Sequence, residues 1–245
     1  MTLPTLIITG VSSGVGLSLV RHLSDRFHVI GLVRKLDAAR ESFKDLAHVS
    51  LYQVDVADQA ALSACLDEVL SRHGSPSYLI NNAGVNIAGS LEQLQRSDLE
   101  LSLAVNFLAP ALIMKRLLPA MKASNFGRII NITSGAPLNC FAGYAAYSAS
   151  KAALNALTVT TAREHETLNI KINLMSPGPV RSNMAPNAPM DPSVCHPTVD
   201  YLLNLPADGP TGRFFWLGYE IPLAPDLEGV QWLEGKASDR FRKVL

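Results

Sequence analysis

Tyr147-Ser148-Ala149-Ser150-Lys151, with Ser134 thirteen residues before the tyrosine, brings together a proton donor, a cation and a hydroxyl. That is the outline of a site that reduces carbonyls. If residues 144–165 form a helix, Tyr147 and Lys151 stand i,i+4 on one face, so the ammonium can sit beside the phenol. A free phenol titrates near ~10, and an adjacent cation lowers that value by favouring the phenolate. Tyr144 is an internal control, since its i+4 partner is Ser148, which brings no charge. An exposed helical Tyr/Lys pair has the same spacing in many long helices. The pair therefore gains meaning only if a nucleotide site elsewhere in the chain can reach it.

The N-terminus offers one. Thr9-Gly10-Val11-Ser12-Ser13-Gly14-Val15-Gly16 follows the apolar run Leu6-Ile7-Ile8 and opens a helix. Glycines at 10, 14 and 16 allow a tight turn, close backbone approach to a pyrophosphate, and close helix–sheet packing, while the helix N-terminus favours the anion. A glycine-rich turn without ligand is the simpler alternative. The spacing is GxxxGxG rather than GxGxxG.

Strands are expected near 4–9, 28–34, 49–54, 78–82, 127–133 and 170–175, with helices near 14–24, 58–72, 97–123 and 144–165 and a weaker one at 37–46. Strand and helix in alternation imply right-handed crossovers and an α/β doubly wound parallel sheet. The continuous apolar strands fit a sheet covered on both faces. After Ser176 the pattern gives way to a proline-rich segment, 177–210, expected to be a substrate lid with one docking helix around Leu202 and Leu203. Phe214–Ile221 reads as a final strand and turn, and the tail from Pro225 as charged and peripheral.

At 245 residues and 48% hydrophobic content, one domain over 1–245 is the default. Twenty-one basic and twenty-one acidic side chains leave no net charge, so nothing points to nucleic acid or an anionic membrane. Cys65, Cys140 and Cys195 form neither a disulfide framework nor a metal-ligand pattern, and a reducing, cytoplasmic compartment fits. The start lacks a basic n-region. Residues 101–121 are broken by Asn106, Pro110, Lys115 and Arg116, so no bilayer span is expected. The expected partner is a small molecule.

Thr9-Gly10-xxx-Gly14-x-Gly16, Asn81-Asn82-Ala83-Gly84, Asn106, Ser134, Tyr147-xxx-Lys151 and Pro177-Gly178 together, in order and over most of the chain, resemble the short-chain dehydrogenase/reductase superfamily. The resemblance implies a single-domain Rossmann-type sheet of about seven strands with a nicotinamide cofactor across the strand C-terminal ends. It implies Tyr147 as acid/base, Lys151 lowering its pKa and holding the nicotinamide ribose, Ser134 orienting the substrate oxygen, and Asn106 supporting Lys151 through water. It assigns cofactor contacts to Gly10, Ser12, Ser13, Gly14, Val15, Gly16, Asn82, Ala83, Gly84, Pro177, Gly178 and Val180, with Ser182 beside the carboxamide. Asn106 could also be a tolerated polar residue in a helix, and Asn81–Gly84 an ordinary turn. Asp55-Val56 is either a helix cap or, as in the family, an adenine contact.

In Rossmann-type NAD enzymes an acidic residue at the end of the second strand binds the ribose 2′-hydroxyl, whereas a basic residue suits a 2′-phosphate. Here Val33 stands where an aspartate is expected and Arg34 follows, so NADP(H) is favoured over NAD(H). Asp37 reads instead as the N-cap of a helix beginning at Ala38. The expected reaction is reversible reduction of a ketone or aldehyde. Leu138, Phe141, Tyr144 and Met184, with Ser134 and Met190, are expected around the substrate, and Arg181 as a surface loop residue. The stretch Leu205–Phe215 resembles the ending of monomeric carbonyl-reductase-like members, which favours broad ketone substrates and leaves monomer or homo-oligomer open. The competing functions are an NAD-dependent alcohol dehydrogenase and a non-catalytic dinucleotide sensor or scaffold.

Overall fold

The computed structural model describes residues 3–223, 230–231 and 236–240. Among these, β1 (Thr5–Thr9), β2 (His28–Val33), β3 (Val49–Gln53), β4 (Tyr78–Asn81), β5 (Gly127–Ile132), β6 (Ile170–Ser176), β7 (Phe214–Trp216) and β8 (Tyr219–Ile221) form one sheet. Its order is β3-β2-β1-β4-β5-β6-β7-β8, parallel throughout except for the antiparallel β7–β8 pair. The expected final strand and turn is a hairpin, which supplies an eighth strand. Leu217 and Gly218 both take positive φ, 46° and 82°, the geometry of a two-residue turn between twisted strands.

Chain direction reverses its march at β1, which has β2 on one side and β4 on the other. Doubly wound sheets bind ligands in the crevice that such a reversal opens at the strand C-terminal ends. Helices α1 (Gly14–Leu23), α2 (Leu36–Ser42), α3 (Gln59–His73), α4 (Arg96–Leu103), α5 (Ala109–Ala123), the short α6 (Ala136–Asn139), α7 (Ala145–Glu164) and α8 (His196–Leu203) flank the sheet. Leu6 and Ile8 of β1 pack with Leu19 of α1 and Leu202 of α8, while Ile7 packs with Leu66 of α3 and Leu117 of α5. Both faces are therefore buried, which is why the strand is apolar at consecutive positions rather than alternating.

The helix expected at 97–123 is interrupted. Residues Ala104–Leu108 form a π turn between α4 and α5. Pro110 has no N–H to give the carbonyl of Asn106 four residues back, so the α ladder cannot pass that point unchanged. By length and composition the run Arg96–Ala123 is apolar enough to span a bilayer, despite its polar interruptions. In this fold its Ile113, Met114, Leu117 and Met121 are buried against the sheet.

The proline-rich segment carries a 3-10 turn, Pro192–Cys195, leading into α8, where Leu202 and Leu203 dock in the core as expected. A polar clasp ties it to α1. Ser18 Oγ lies 2.8 Å from His196 Nε2, the His196 ring stacks on His22 at 4.0 Å, and His22 Nε2 lies 2.9 Å from Asp200 Oδ2. Arg26 also pairs with Asp200. Burial and the neighbouring His22 hold His196 below the ordinary imidazole value. At the other end of the sheet the buried Arg128 donates from Nε to the Leu205 carbonyl at 3.0 Å, fixing the chain just past α8. Most of the tail from Pro225 lies outside the described residues; within it, Val230–Gln231 pairs antiparallel with Lys236–Ala237.

Candidate active site

At the head of β1 the glycine turn is stitched to β4. Thr9 Oγ1 accepts from the backbone N–H groups of Asn82 and Ala83, at 3.0 and 2.9 Å, and Asn82 Nδ2 donates to the carbonyls of Thr9 and Gly10, at 2.9 and 3.0 Å. Asn81 continues the brace by donating to Asn131 Oδ1 at 2.8 Å, and Asn131 donates to Thr158 of α7 at 2.8 Å. The Asn81–Gly84 turn thus holds the central strands in register with the nucleotide loop and the helix bearing Tyr147.

Above these strand ends runs a cleft of about 590 Å³. Gly10, Ser12, Ser13, Val15, Arg34, Asp55, Val56, Asn82, Ala83, Gly84, Pro177 and Val180 line it, with Tyr147 and Lys151 at the same cleft. Gly14, Gly16 and Gly178 do not: Gly14 abuts Ser182, Gly16 lies under the Gly10 carbonyl, and Gly178 faces the Trp216 indole. Asp55 Oδ1 accepts from the Ala57 N–H at 3.0 Å, but the cap of α3 is Asp58, which accepts from Ala60 and Ala61. The cap alternative for Asp55 therefore passes to Asp58. Asp37 is not the helix cap expected of it. Helix α2 begins at Leu36 with Lys35 as N-cap, because Leu36 packs on the core, and Asp37 lies fully exposed near Arg40 in the first turn. Arg34 faces the cleft and Asp37 does not.

Tyr147 sits in the first turn of α7 and Lys151 one turn on, its ammonium 5.9 Å from the phenol ring centroid. Lys151 is buried and donates from Nζ to the Ile132 carbonyl at 2.7 Å, and burial pushes its pKa down to about 8. The phenol departs from expectation. Burial raises the Tyr147 pKa, a hydrogen bond from the side chain of Ser134 opposes the rise, and Tyr144 adds to it. The net rise, set first by burial, is opposite to the lowering expected from the Lys151 ammonium. Among its neighbours Ser134 Oγ also accepts from the Ala136 N–H at 3.1 Å, which fixes the hydroxyl at the end of β5.

Asn106 is fully buried in the π turn. Its Nδ2 donates to the Val85 carbonyl and to Ser150 Oγ, and its Oδ1 accepts from the Val85 N–H, all at 2.9 Å. Ser150 Oγ in turn donates to the Tyr147 carbonyl at 2.8 Å. The direct side-chain and backbone partners of Asn106 are thus Val85, in the loop after Gly84, and Ser150, the neighbour of Lys151 in α7. A Cβ at Gly84 would come within 3.2 Å of Asn106 Oδ1 and 3.6 Å of Lys151 Nζ, so amide and ammonium face the same narrow space.

A model of the family described as short chain dehydrogenase matches residues 4–192. This chain is a short-chain dehydrogenase/reductase. It is 30% identical over 187 residues to 3-ketodihydrosphingosine reductase of Bacteroides thetaiotaomicron, a match covering 74% of this chain and 66% of that protein. The chain thus spans about two thirds of the length of that relative. Two solved structures share the fold. A 4-hydroxyisoleucine dehydrogenase complexed with NADH superposes with a TM-score of 0.82 at 24% identity, and a metagenomic short-chain oxidoreductase in complex with NADP with 0.79 at 28%. Each match covers 88% of this chain and 97% of the other.

Around the substrate end of this short-chain dehydrogenase/reductase the expected residues separate. Met184 lines the cleft, whereas Leu138, Phe141 and Tyr144 do not. Phe141, Tyr144 and Tyr147 instead form an edge-to-face ladder with successive centroids 6.4 Å apart, leading from the phenol to an exposed Phe141. Met190 pairs with Val180 and packs on the core, and Arg181 braces its own loop through Asp191 at 3.0 Å. Sequence reading missed Val85, Asn86, Ile87, Leu101, Val105 and Thr133 in the cleft wall. Three of these directly follow Gly84 and one follows β5, so the rule that such sheets bind at strand C-terminal ends could have found them. A second concavity, about 680 Å³ between α1 and the 181–196 segment, is lined by Ser18, His22 and His196 but holds neither Tyr147 nor Lys151.

Proposed function

We propose that this chain is an NADP(H)-dependent oxidoreductase that reduces a ketone or aldehyde to an alcohol, reversibly, with Tyr147 as acid/base. What carries the reading is one cleft with the glycine turn and Arg34 in its wall and the Tyr147–Lys151 pair in the same wall. The residues fit a nicotinamide dinucleotide. Gly10 and Gly84 line the cleft without side chains of their own, and Arg34 offers a planar fork suited to a 2′-phosphate where Val33 offers no carboxylate. When bound, the cofactor supplies the hydride. The similar solved structures contain NADH in one case and NADP in another, so the choice rests on Arg34 and on the absence of Asp37 from the cleft wall.

The raised phenol keeps its proton at neutral pH and is ready to give it to the substrate oxygen as negative charge develops there. Ser134 is a second donor to that oxygen. Once the phenol has lost its proton, the Lys151 ammonium faces the resulting phenolate. A ketone, such as the one in the name of the bacterial 3-ketodihydrosphingosine reductase, matches this chemistry.

The test is the specificity constant of the pure protein for NADPH and NADH with a panel of ketones. NADPH should be preferred, and Arg34→Ala should lower kcat/KM for NADPH by about 10- to 100-fold, the loss of one charge-assisted contact of ~1.5–3 kcal/mol, with little change for NADH. A wild-type preference for NADH that the substitution leaves unmoved refutes the cofactor assignment.

A further inference from the structure

We propose that Asn86 recognises the substrate, taking a hydroxyl group carried on the carbon next to the reacting carbonyl of an otherwise apolar molecule. The proposal rests on the carbonyl reduction proposed above. Asn86 lines the cleft that holds Tyr147 and Lys151. Its Oδ1 is shut from solvent and has no hydrogen-bond partner among the described residues. Three other buried side-chain atoms share that condition, on Asn81, Ser102 and Ser148, and none of those residues lines the cleft. An unsatisfied buried amide oxygen costs ~1–3 kcal/mol, so a folded protein that keeps one in a binding wall has a use for it there.

The loop holds the amide in place from both sides. On one side Val85 has its N–H and its carbonyl bonded to Asn106. On the other, the Gly89 N–H donates to the Gly143 carbonyl at 2.9 Å, and Gly89 bridges to Tyr144 beside the catalytic helix. Asn86 is thus pinned between two anchors, facing a wall of Val85, Ile87, Leu101, Val105 and Met184. As it stands the oxygen is closed to a water-sized group, so recognition requires the amide to turn about its terminal torsion; once turned, amide and substrate hydroxyl each accept and donate, and they satisfy each other where a plain hydrocarbon would leave the oxygen orphaned. The chemical class is a hydroxyketone in reduction, or the corresponding vicinal diol in oxidation.

Acetophenone and 2-hydroxyacetophenone differ by this one hydroxyl. With NADPH saturating, the wild type should favour the hydroxylated ketone in kcat/KM by about tenfold or more. Asn86→Leu and Asn86→Ala, both checked by thermal melting, should bring the ratio close to one. A wild-type ratio near one, or a ratio that neither substitution moves, overturns the proposal. An equal loss for both ketones with a raised KM for NADPH also overturns it, and assigns Asn86 to the cofactor. If neither ketone is reduced, carbonyl reduction is what has failed. Calorimetry with 1-phenylethanol and 1-phenylethane-1,2-diol then decides Asn86 alone: tighter diol binding that Asn86→Leu abolishes supports it, and equal binding overturns it.

Discussion

Tyr147→Phe is expected to keep its fold and its NADPH affinity and to lose the proposed carbonyl reduction, with kcat lower on the order of 10²–10⁴-fold. The ring is held edge-to-face against Tyr144, a contact phenylalanine preserves, so only the hydroxyl is lost. Ser134 then has no phenol to bond and the substrate oxygen no acid. The wild-type pH profile carries a second signature of the same site. Lys151 has its pKa depressed to about 8 by burial, so its charge leaves earlier than that of an ordinary lysine. As pH rises through about 8 the ammonium that faces the phenolate is neutralised, and kcat for reduction should fall with an apparent pKa near that value. NADPH oxidation from neutral to alkaline pH, with NADPH binding followed by fluorescence, checks both. Residual reduction within tenfold of wild type in Tyr147→Phe would remove the tyrosine from the chemistry.

Gly16→Ala should be the most damaging single methyl group in the nucleotide half. A Cβ at this position lies 2.3 Å from the Gly10 carbonyl oxygen and 2.5 Å from Asn82 Nδ2. Neither neighbour can yield cheaply, since Asn82 is held by Thr9 and Gly10 and the carbonyl is backbone. Alanine gains about 1 kcal/mol of helix propensity over glycine. Overpacking of this kind costs about 1–3 kcal/mol and more where backbone must move, so the clash wins. At this chain length each kcal/mol is about 2–4 °C of Tm. The expected outcome is a melting temperature lower by several degrees together with weakened NADPH binding. Gly74→Ala is the control, because its Cβ meets nothing within 4 Å and only its positive φ is strained. Equal melting temperatures for wild type and Gly16→Ala would show that the turn can open without cost.

What was readable in the sequence was what local spacing dictates. Tyr147 and Lys151 lie one helical turn apart, and Arg34 follows directly on a strand end, so neither position needed knowledge of a distant contact. The break at Asn106 was less visible, since it depends on Pro110 denying a hydrogen bond within a run that otherwise has helical periodicity. The turn after Phe214 was readable but its return strand was not, because Leu217 occupies a conformation usually signalled by glycine or asparagine. The direction of the Tyr147 shift was misread for a different reason. Burial raises the pKa against the Ser134 hydrogen bond, and sequence shows the neighbouring Lys151 and Ser134 but not the burial. Asn86 and the clasp partners of His196 depend on segments that meet only in the folded chain.

The clasp also bears on the order in which the molecule assembles. Ser18 with His196, and His22 with Asp200, each join positions 178 residues apart. Closing so long a loop is among the costliest entropic steps available to this chain, whereas the β1–β2 and β2–β3 pairings close over far shorter stretches. The wall of the cleft that includes Val180 and Met184 is therefore expected to dock late, on a sheet already formed, and to be first to come away. Amide hydrogens of α8 should exchange faster than those of β5, and equal protection would contradict that order. On this account substrate access shares its free-energy scale with the last stage of folding.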